Sequence, residues 1–435
     1  MNRQDAMKEL LRGVERCECG QRHACAVREA VIGHGALDEV GRLLGECRSV
    51  ALACDRNTWR AAGEQVARRL EAEGFEVSLC RYEGDGVLIP DEAAVARLEA
   101  CLTERTQAIV GVGSGVINDL CKYVSGAHDL PYMIVATAPS MDGFASVGAA
   151  MILGGMKVTV DRRVPRWIVG DTAVLKDAPL DMIRAGIGDI LGKYSCLNDW
   201  KISHVLNGEA FCPRVYRLVM DEVRACREHL AAAMRRDEQA VGALMRSLVT
   251  VGVCMAYVGN SRPASGSEHH LSHYFEITGV LRGEKYLPHG VDVAYSTVLT
   301  CRLREMLLAA SPADFSAGFD RAAWAQGVRA EYGSLADSVI ALQEKSALFG
   351  RDRLPVIREK WDELRAILAE APSAQEIEGL LCRAGYRREE LLNTYGEEKL
   401  RRAIVFAKEL KDRYTLLNLL ADTGLLSRFA REIAL

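Results

Sequence analysis

The sequence predicts an α/β fold in two parts: a parallel sheet layered with helices, then an all-helical region. Three observations carry this reading. The length of 435 residues exceeds what one hydrophobic core usually organises. Short β-branched runs alternate with helical patterns over residues 1–178, the signature of parallel layering. After Pro179 strand signals almost vanish, and amphipathic helical stretches continue to Leu435. The expected domains are therefore 1–178 and 179–435.

Val50 to Cys54, Glu76 to Tyr82, Thr106 to Val112 and Tyr132 to Thr137 read as strands, being short and rich in apolar and β-branched residues. Between them, Asn57 to Glu73, Asp91 to Arg105 and Gly115 to Gly126 carry helical periodicity. Asn57 and Asp91 fit as N-caps, whose side chains accept from unpaired first-turn N–H groups. Ala149 to Val160 reads as a hairpin turning at Gly154-Gly155, and Arg166 to Val169 adds a strand. There is no internal repeat or low-complexity linker, and the polar stretch near Pro312 reads as an ordinary loop.

Composition narrows the partners. Lysine and arginine total 55 against 59 acidic residues with no long run of one sign, which argues against nucleic acid or an anionic membrane and for a small molecule. Met1 to Gly13 lacks the apolar core of a secretory signal, and the longest uncharged apolar run, Ser247 to Val258, is too short to span a bilayer. A cytoplasmic protein is expected. The fourteen cysteines are scattered and read as reduced thiols. Cys17-Glu18-Cys19 with His23 and Cys25 could hold a structural zinc, although the spacing departs from the paired C-x-x-C pattern.

Gly111-Val112-Gly113-Ser114-Gly115 follows a strand and opens a helix, the context in which glycines let backbone N–H groups approach a pyrophosphate. The first part then reads as a Rossmann-like dinucleotide-binding domain. Its ribose-binding acid would be Asp55, at the end of an earlier strand rather than after the glycines; the adjacent Arg56 blurs any preference between NAD and NADP. A second strand-end loop, Thr137 to Ser146, brings hydroxyls and Asp142 to the edge where open α/β sheets bind ligands.

Four of the nine histidines lie between Gly259 and His289. Neutral imidazole is the commonest ligand of a catalytic transition metal, and His269 and His273, four apart, share one helical face. Pro263 and Ser265 to Ser267 supply turn and cap chemistry just before them. His270 points about 100° away from His269, so a regular helix offers only one of the two to a given ion. Asp189, among apolar residues in Gly186 to Lys193, is a carboxylate whose burial a cation would compensate.

These segments together resemble sn-glycerol-1-phosphate dehydrogenase of the bacterial AraM type, within the dehydroquinate synthase-like and iron-containing alcohol dehydrogenase superfamily. The resemblance rests on Gly113-Ser114-Gly115-Val116-Ile117-Asn118-Asp119, the Thr137 to Ser146 loop, Gly188-Asp189, Ser261 to Gly266 with Glu268-His269, and His289-Gly290. It covers about Cys17 to Val298 and returns at Arg413-Tyr414-Thr415 to Leu426. It implies a dinucleotide domain before an all-helical one, a homodimer, and one divalent metal, zinc or nickel, on Asp189, His269 and His289. It further implies that Asp142, Asp189 and His273 contact substrate, with Asp142 and His273 taking part in catalysis. Asp55, Gly113, Ser114, Gly115, Val116, Ile117, Thr137, Ala138, Pro139, Ser140 and Ser146 would contact NAD(H) or NADP(H).

The expected reaction is reduction of dihydroxyacetone phosphate to sn-glycerol 1-phosphate, feeding lipid synthesis. Its phosphate calls for cations, and Arg262, with Lys193 second, are the expected partners, an ordinary interdomain ion pair being the alternative for both. A glycerol or polyol dehydrogenase would share the metal and cofactor without a phosphate site. A dehydroquinate-synthase-like lyase or cyclase would return its NAD unchanged, and a sensor would bind without turnover. The extra sequence between Leu307 and Pro372 bears on oligomeric packing more than on chemistry.

Overall fold

Val50, Ala51, Leu52, Ala53 and Cys54 are all fully buried, as expected of a parallel strand covered on both faces. The computed structural model describes residues 3–84, 86, 88–154, 156–316 and 318–435. Its strands are β1 (Glu29–Gly33), β2 (Ser49–Asp55), β3 (Glu76–Tyr82), β4 (Ala108–Gly113), β5 (Tyr132–Ala136), β6 (Gly148–Leu153), β7 (Met156–Asp161) and β8 (Trp167–Asp171). Six form one sheet in the order β1-β8-β5-β4-β2-β3, with every pair parallel. The other two form the expected hairpin, Gly148 pairing with Asp161. Gly154 turns it with φ 58°, while Gly155 lies outside the described residues.

Several elements escaped the sequence reading, among them the helical segment Ala36–Leu44 and the short helix Thr172–Leu175. A helix forms at Arg3–Arg12, and β1 takes a sheet edge where only Ile32 is buried, so its pattern shows little alternation. One cap is corrected: Asp55, not Asn57, opens the helix after β2, its Oδ1 accepting from the N–H groups of Asn57 and Thr58 at 2.8 Å each. Asp91 caps its helix as expected, accepting from Ala94 N.

The chain divides into two compact units, Met1–Ile190 with Arg217–Ser261, and Leu191–Tyr216 with Arg262–Leu435. The single boundary expected at 178/179 does not describe this interleaving. Strands do end where expected, none following Asp171 among the described residues. The helix Glu238–Val258, however, belongs with the sheet, where Gly252 lets it approach the 142–145 backbone: a Cβ there would sit 2.8 Å from the Asp142 carbonyl oxygen. By length and composition this helix could cross a membrane, yet it is mostly buried in the first unit.

Among the described residues the second unit holds helices and no strand. The helices Ser267–Arg282 and His289–Ala309 pack on each other, and Phe275 stacks on Tyr395 at 4.1 Å between ring centres. Gly192 permits the helix Leu180–Asn207 to approach His289–Ala309, since a Cβ there would meet Val293 at 2.6 Å. The sequence after Leu307 folds into this unit, Asn198 Nδ2 donating to the Ile367 carbonyl.

Candidate active site

In the first unit, three of the sequence-derived segments meet at one sheet edge. β2, β4 and β5 are neighbours, with Cys54 opposite Val112 and Gly113 opposite Ala136, so Asp55 and Gly113 end adjacent strands and Thr137 directly follows the third. This is also where strand order reverses: β3 lies on one side of β2 and β4 on the other, and open α/β sheets bind ligands at such a crevice. Thr137 N donates to the Gly113 carbonyl at 3.0 Å, tying the two loops together. The glycines allow close packing of the helix Gly115–Ala127, because a Cβ on Gly113 would stand 2.6 Å from the Ile117 side chain. Val116 and Ile117 occupy that helix's first turn, and no side chain caps it at Ser114.

The Thr137 to Ser146 loop is held from beneath. Lys122 is fully buried, and its Nζ donates to the carbonyls of Gly143 at 3.1 Å and Gly148 at 2.8 Å and to Ser146 Oγ at 3.3 Å. Burial pushes its pKa down, with Asp119 opposing. Ala138 is buried; the Pro139 carbonyl faces Gly186, where a Cβ would come within 1.9 Å of the oxygen. That glycine brings the helix bearing Asp189 onto the loop. Asp189 is fully buried, and its Oδ2 accepts from the Asp142 backbone N–H at 2.9 Å. Asp142 is buried too, while Ser140 is partly accessible.

In the second unit the histidines are not a solvated face. The helix starts at Ser267, with no side-chain cap from Gly266 or the preceding serines. Asp199 serves that end instead, its Oδ2 accepting from both Ser267 N and Ser267 Oγ at 2.7 Å. Ring centres of His269, His273 and His289 lie 5.1 to 6.0 Å apart. His269 Nδ1 meets Glu268 Oε1 at 2.7 Å; His289 Nδ1 meets Ser272 Oγ and Glu276 Oε1, each at 3.3 Å. With each Nδ1 so engaged, Nε2 is left as the ligand atom, the arrangement in which a carboxylate fixes tautomer and aim. Burial, then the charge of Lys411, pushes the His273 pKa well below its usual range.

His270 points elsewhere, as helical geometry requires. It is fully buried, neither ring nitrogen has a hydrogen-bond partner among the described residues, and burial, then Arg413, Lys411 and Arg262, pushes its pKa down. Arg262, expected at a substrate phosphate or in an ion pair, makes an ion pair. It is 1 % exposed, and its Nη2 meets Glu209 Oε2 at 2.9 Å and the carbonyls of Tyr414 at 2.6 Å and Asp199 at 3.3 Å. A desolvated guanidinium with a carboxylate partner is already matched within the protein. Lys193 likewise donates to the Ala264 carbonyl at 2.9 Å.

Comparison with known proteins gives the family. The model of the iron-containing alcohol dehydrogenase family matches residues 31–179. The glycerol-1-phosphate dehydrogenase [NAD(P)+] of Halalkalibacterium halodurans is 36% identical over 302 residues, 68% of this chain and 76% of that protein. That of Bacillus licheniformis is 31% identical over 419 residues, 94% of this chain and 93% of its own. The chain belongs to the glycerol-1-phosphate dehydrogenase family. The fold is shared more widely: a 1,3-propanediol oxidoreductase matches with TM-score 0.63 at 16% identity, over 93% of this chain and 98% of its own. A probable glycerol dehydrogenase from Sinorhizobium meliloti matches at 0.59 and 16%, over 94% and 98% respectively.

For this glycerol-1-phosphate dehydrogenase family member, sequence reasoning missed the supporting shell: Glu268, Ser272 and Glu276 around the histidines, and Lys122 under the loop. A signal existed for Glu276. It stands three residues after His273, so the two share a helical face. Nothing local marks Lys122 as a support of the loop: Asp119 pairs with it at 3.6 Å, but the loop carbonyls it holds belong to residues more than twenty positions away.

Proposed function

We propose that this protein reduces dihydroxyacetone phosphate to sn-glycerol 1-phosphate with NADH or NADPH. The observation that carries the proposal is the aimed pair of imidazoles, His269 and His289, each with its Nδ1 at a carboxylate. The donor set fits a divalent metal, with Asp189 as the carboxylate ligand and zinc or nickel as the ion. When bound, the metal supplies Lewis acidity at the substrate's C2 oxygen and the nicotinamide supplies the hydride. Glu268, Ser272 and Glu276 keep the two rings aimed.

His273, one helical turn from His269, moves a proton between a ring nitrogen and the C2 oxygen. A neutral ring suits this, since it accepts a proton in the oxidative direction and relays one in the reductive. Asp142 positions the substrate, with its backbone N–H fixing Asp189. The phosphate role passes from Arg262 and Lys193 to Lys411, the charge that bears most on the His273 ring.

Asp55 takes the ribose hydroxyls through Oδ2, as both of its cap bonds fall on Oδ1. The first turn after Ser114 takes the pyrophosphate, with Val116 and Ile117 beneath it. Thr137, Ala138, Pro139, Ser140 and Ser146 line the nicotinamide end. A cytoplasmic homodimer, without nucleic acid or membrane partners, completes the proposal.

NADH and NADPH oxidation by metal-stripped protein, before and after Zn²⁺ or Ni²⁺, with dihydroxyacetone phosphate and with unphosphorylated dihydroxyacetone, tests it. Restored activity selective for the phosphate ester, with an sn-1 product, is expected. Activity on the free ketone alone means a polyol dehydrogenase, and no net oxidation with either means a lyase or a sensor.

A further inference from the structure

Residues 13–25 hold together with almost no core of their own. Glu15, Arg16, Glu18, Gly20, Gln21, Arg22 and Ala24 are exposed, and only His23 is buried. A single antiparallel bridge joins Val14 to His23, at 2.8 and 2.9 Å, around a tight turn in which Gly20 N donates to the Cys17 carbonyl. So little apolar burial does not by itself repay the entropy of ordering such a loop.

What lies inside the turn is metal-ligand chemistry. The Sγ atoms of Cys17 and Cys19 and a ring nitrogen of His23 are all within 4.8 Å of one another. Cys19 Sγ stands 3.3 Å from His23 Nε2, close to the ligand-to-ligand spacing around a tetrahedral ion with bonds of about 2.0 and 2.3 Å. His23 Nδ1 donates to the Tyr257 carbonyl at 2.9 Å, which fixes the tautomer and turns the Nε2 lone pair toward the thiols. The ring also stacks on Tyr257, 5.3 Å between centres and 15° between planes. A bare thiol–imidazole hydrogen bond would need one cysteine, not two.

We propose that Cys17, Cys19 and His23 bind a structural Zn²⁺, separate from the catalytic metal, which pins residues 13–25 to the end of the helix Glu238–Val258. Two thiolates and an imidazole are soft and borderline donors and select zinc over magnesium or calcium. Binding displaces the two thiol protons to solvent with no redox step. A fourth donor closes the tetrahedron, and the number of sulfur neighbours shows whether it is another thiolate.

The test is zinc K-edge X-ray absorption on the full-length reduced protein, zinc-loaded, together with metal analysis. The donors proposed for the catalytic metal include no sulfur, so the two sites are read separately whatever the enzyme's activity proves to be. A sulfur shell near 2.3 Å, about one tightly held zinc per chain in His289→Ala, and loss of that equivalent in Cys19→Ser are expected. Only nitrogen and oxygen neighbours in the wild-type protein, or full zinc content in Cys19→Ser, would overturn the site. If Cys19→Ser fails to fold, thiol counting on the wild type decides: at least two cysteines becoming reactive as a chelator removes zinc supports it, and none refutes it.

Discussion

Glu268 Oε1 lies 2.7 Å from His269 Nδ1, and the same oxygen accepts from the Gly266 N–H at 2.9 Å. The carboxylate is fully buried, so it anchors the ring to the helix start rather than to solvent. Ring orientation at the proposed metal is thereby set by the residue next to the ligand, and Glu276 does the same for His289 from one helical turn after Ser272.

Replacing Glu268 by Gln keeps the shape and removes the charge. Metal affinity should fall about 10- to 100-fold, as for other carboxylates that support ligating histidines. Competition with a chromophoric chelator measures this, and an unchanged affinity would show that the carboxylate does not tune the ring.

Gly186 has no room for a side chain. The Cβ of Gly186→Ala would fall 1.9 Å from the Pro139 carbonyl oxygen, so the helix carrying Asp189 and the Thr137 to Ser146 loop must separate. A loss of about 1–3 kcal/mol on denaturant unfolding is expected from such overpacking, together with a raised KM for the nicotinamide. An unchanged KM would remove the loop from the cofactor site.

Lys411 and Arg262 should separate cleanly in kinetics. Lys411→Met should raise KM for dihydroxyacetone phosphate by about tenfold or more, the worth of one charged hydrogen bond, while leaving unphosphorylated dihydroxyacetone little changed. Arg262→Met should instead lower stability by about 2 kcal/mol or more, because Glu209 loses its partner. Equal KM effects of Lys411→Met on both ketones would withdraw it from the phosphate.

Acid should weaken the first unit through Glu238. Hydrogen bonds from Thr172 at 2.6 Å and His34 at 2.8 Å hold its carboxyl at about 2, below the usual 4.5. The stability so contributed is full above pH 4.5 and is lost as pH falls toward about 2. His34 is shifted the other way, raised from 6.5 mainly by its bond to Glu238, so its share is full below pH 6.5 and fades as pH rises through the raised value. The pair is strongest between these limits. Melting temperature against pH in Glu238→Gln should show a flatter acid limb than the wild type, and parallel curves would sink the assignment.

The layered fold was legible in the sequence because its determinants are local. Strand segments such as Val50 to Cys54 are apolar on both faces, and glycines at 113 and 115 mark a strand-to-helix turn whatever surrounds them. The histidine spacing likewise announced a shared face. Tertiary packing decided the rest. β1 is a strand because an edge of the sheet was open to it, and Asp55 caps a helix because the chain reverses at the end of β2.

Arg262 looked like an anion-binding side chain and was enclosed with Glu209, a partner more than fifty positions earlier that no window of sequence reveals. Lys122 and Gly252 became supports of one loop only when separate helices converged on it. Periodicity, glycine and ligand spacing are properties of neighbouring residues, so the sequence by itself determined the layers and the candidate ligands. Burial, charge pairing and the aim of each imidazole depend on residues brought together from distant positions, and only the folded structure decided them.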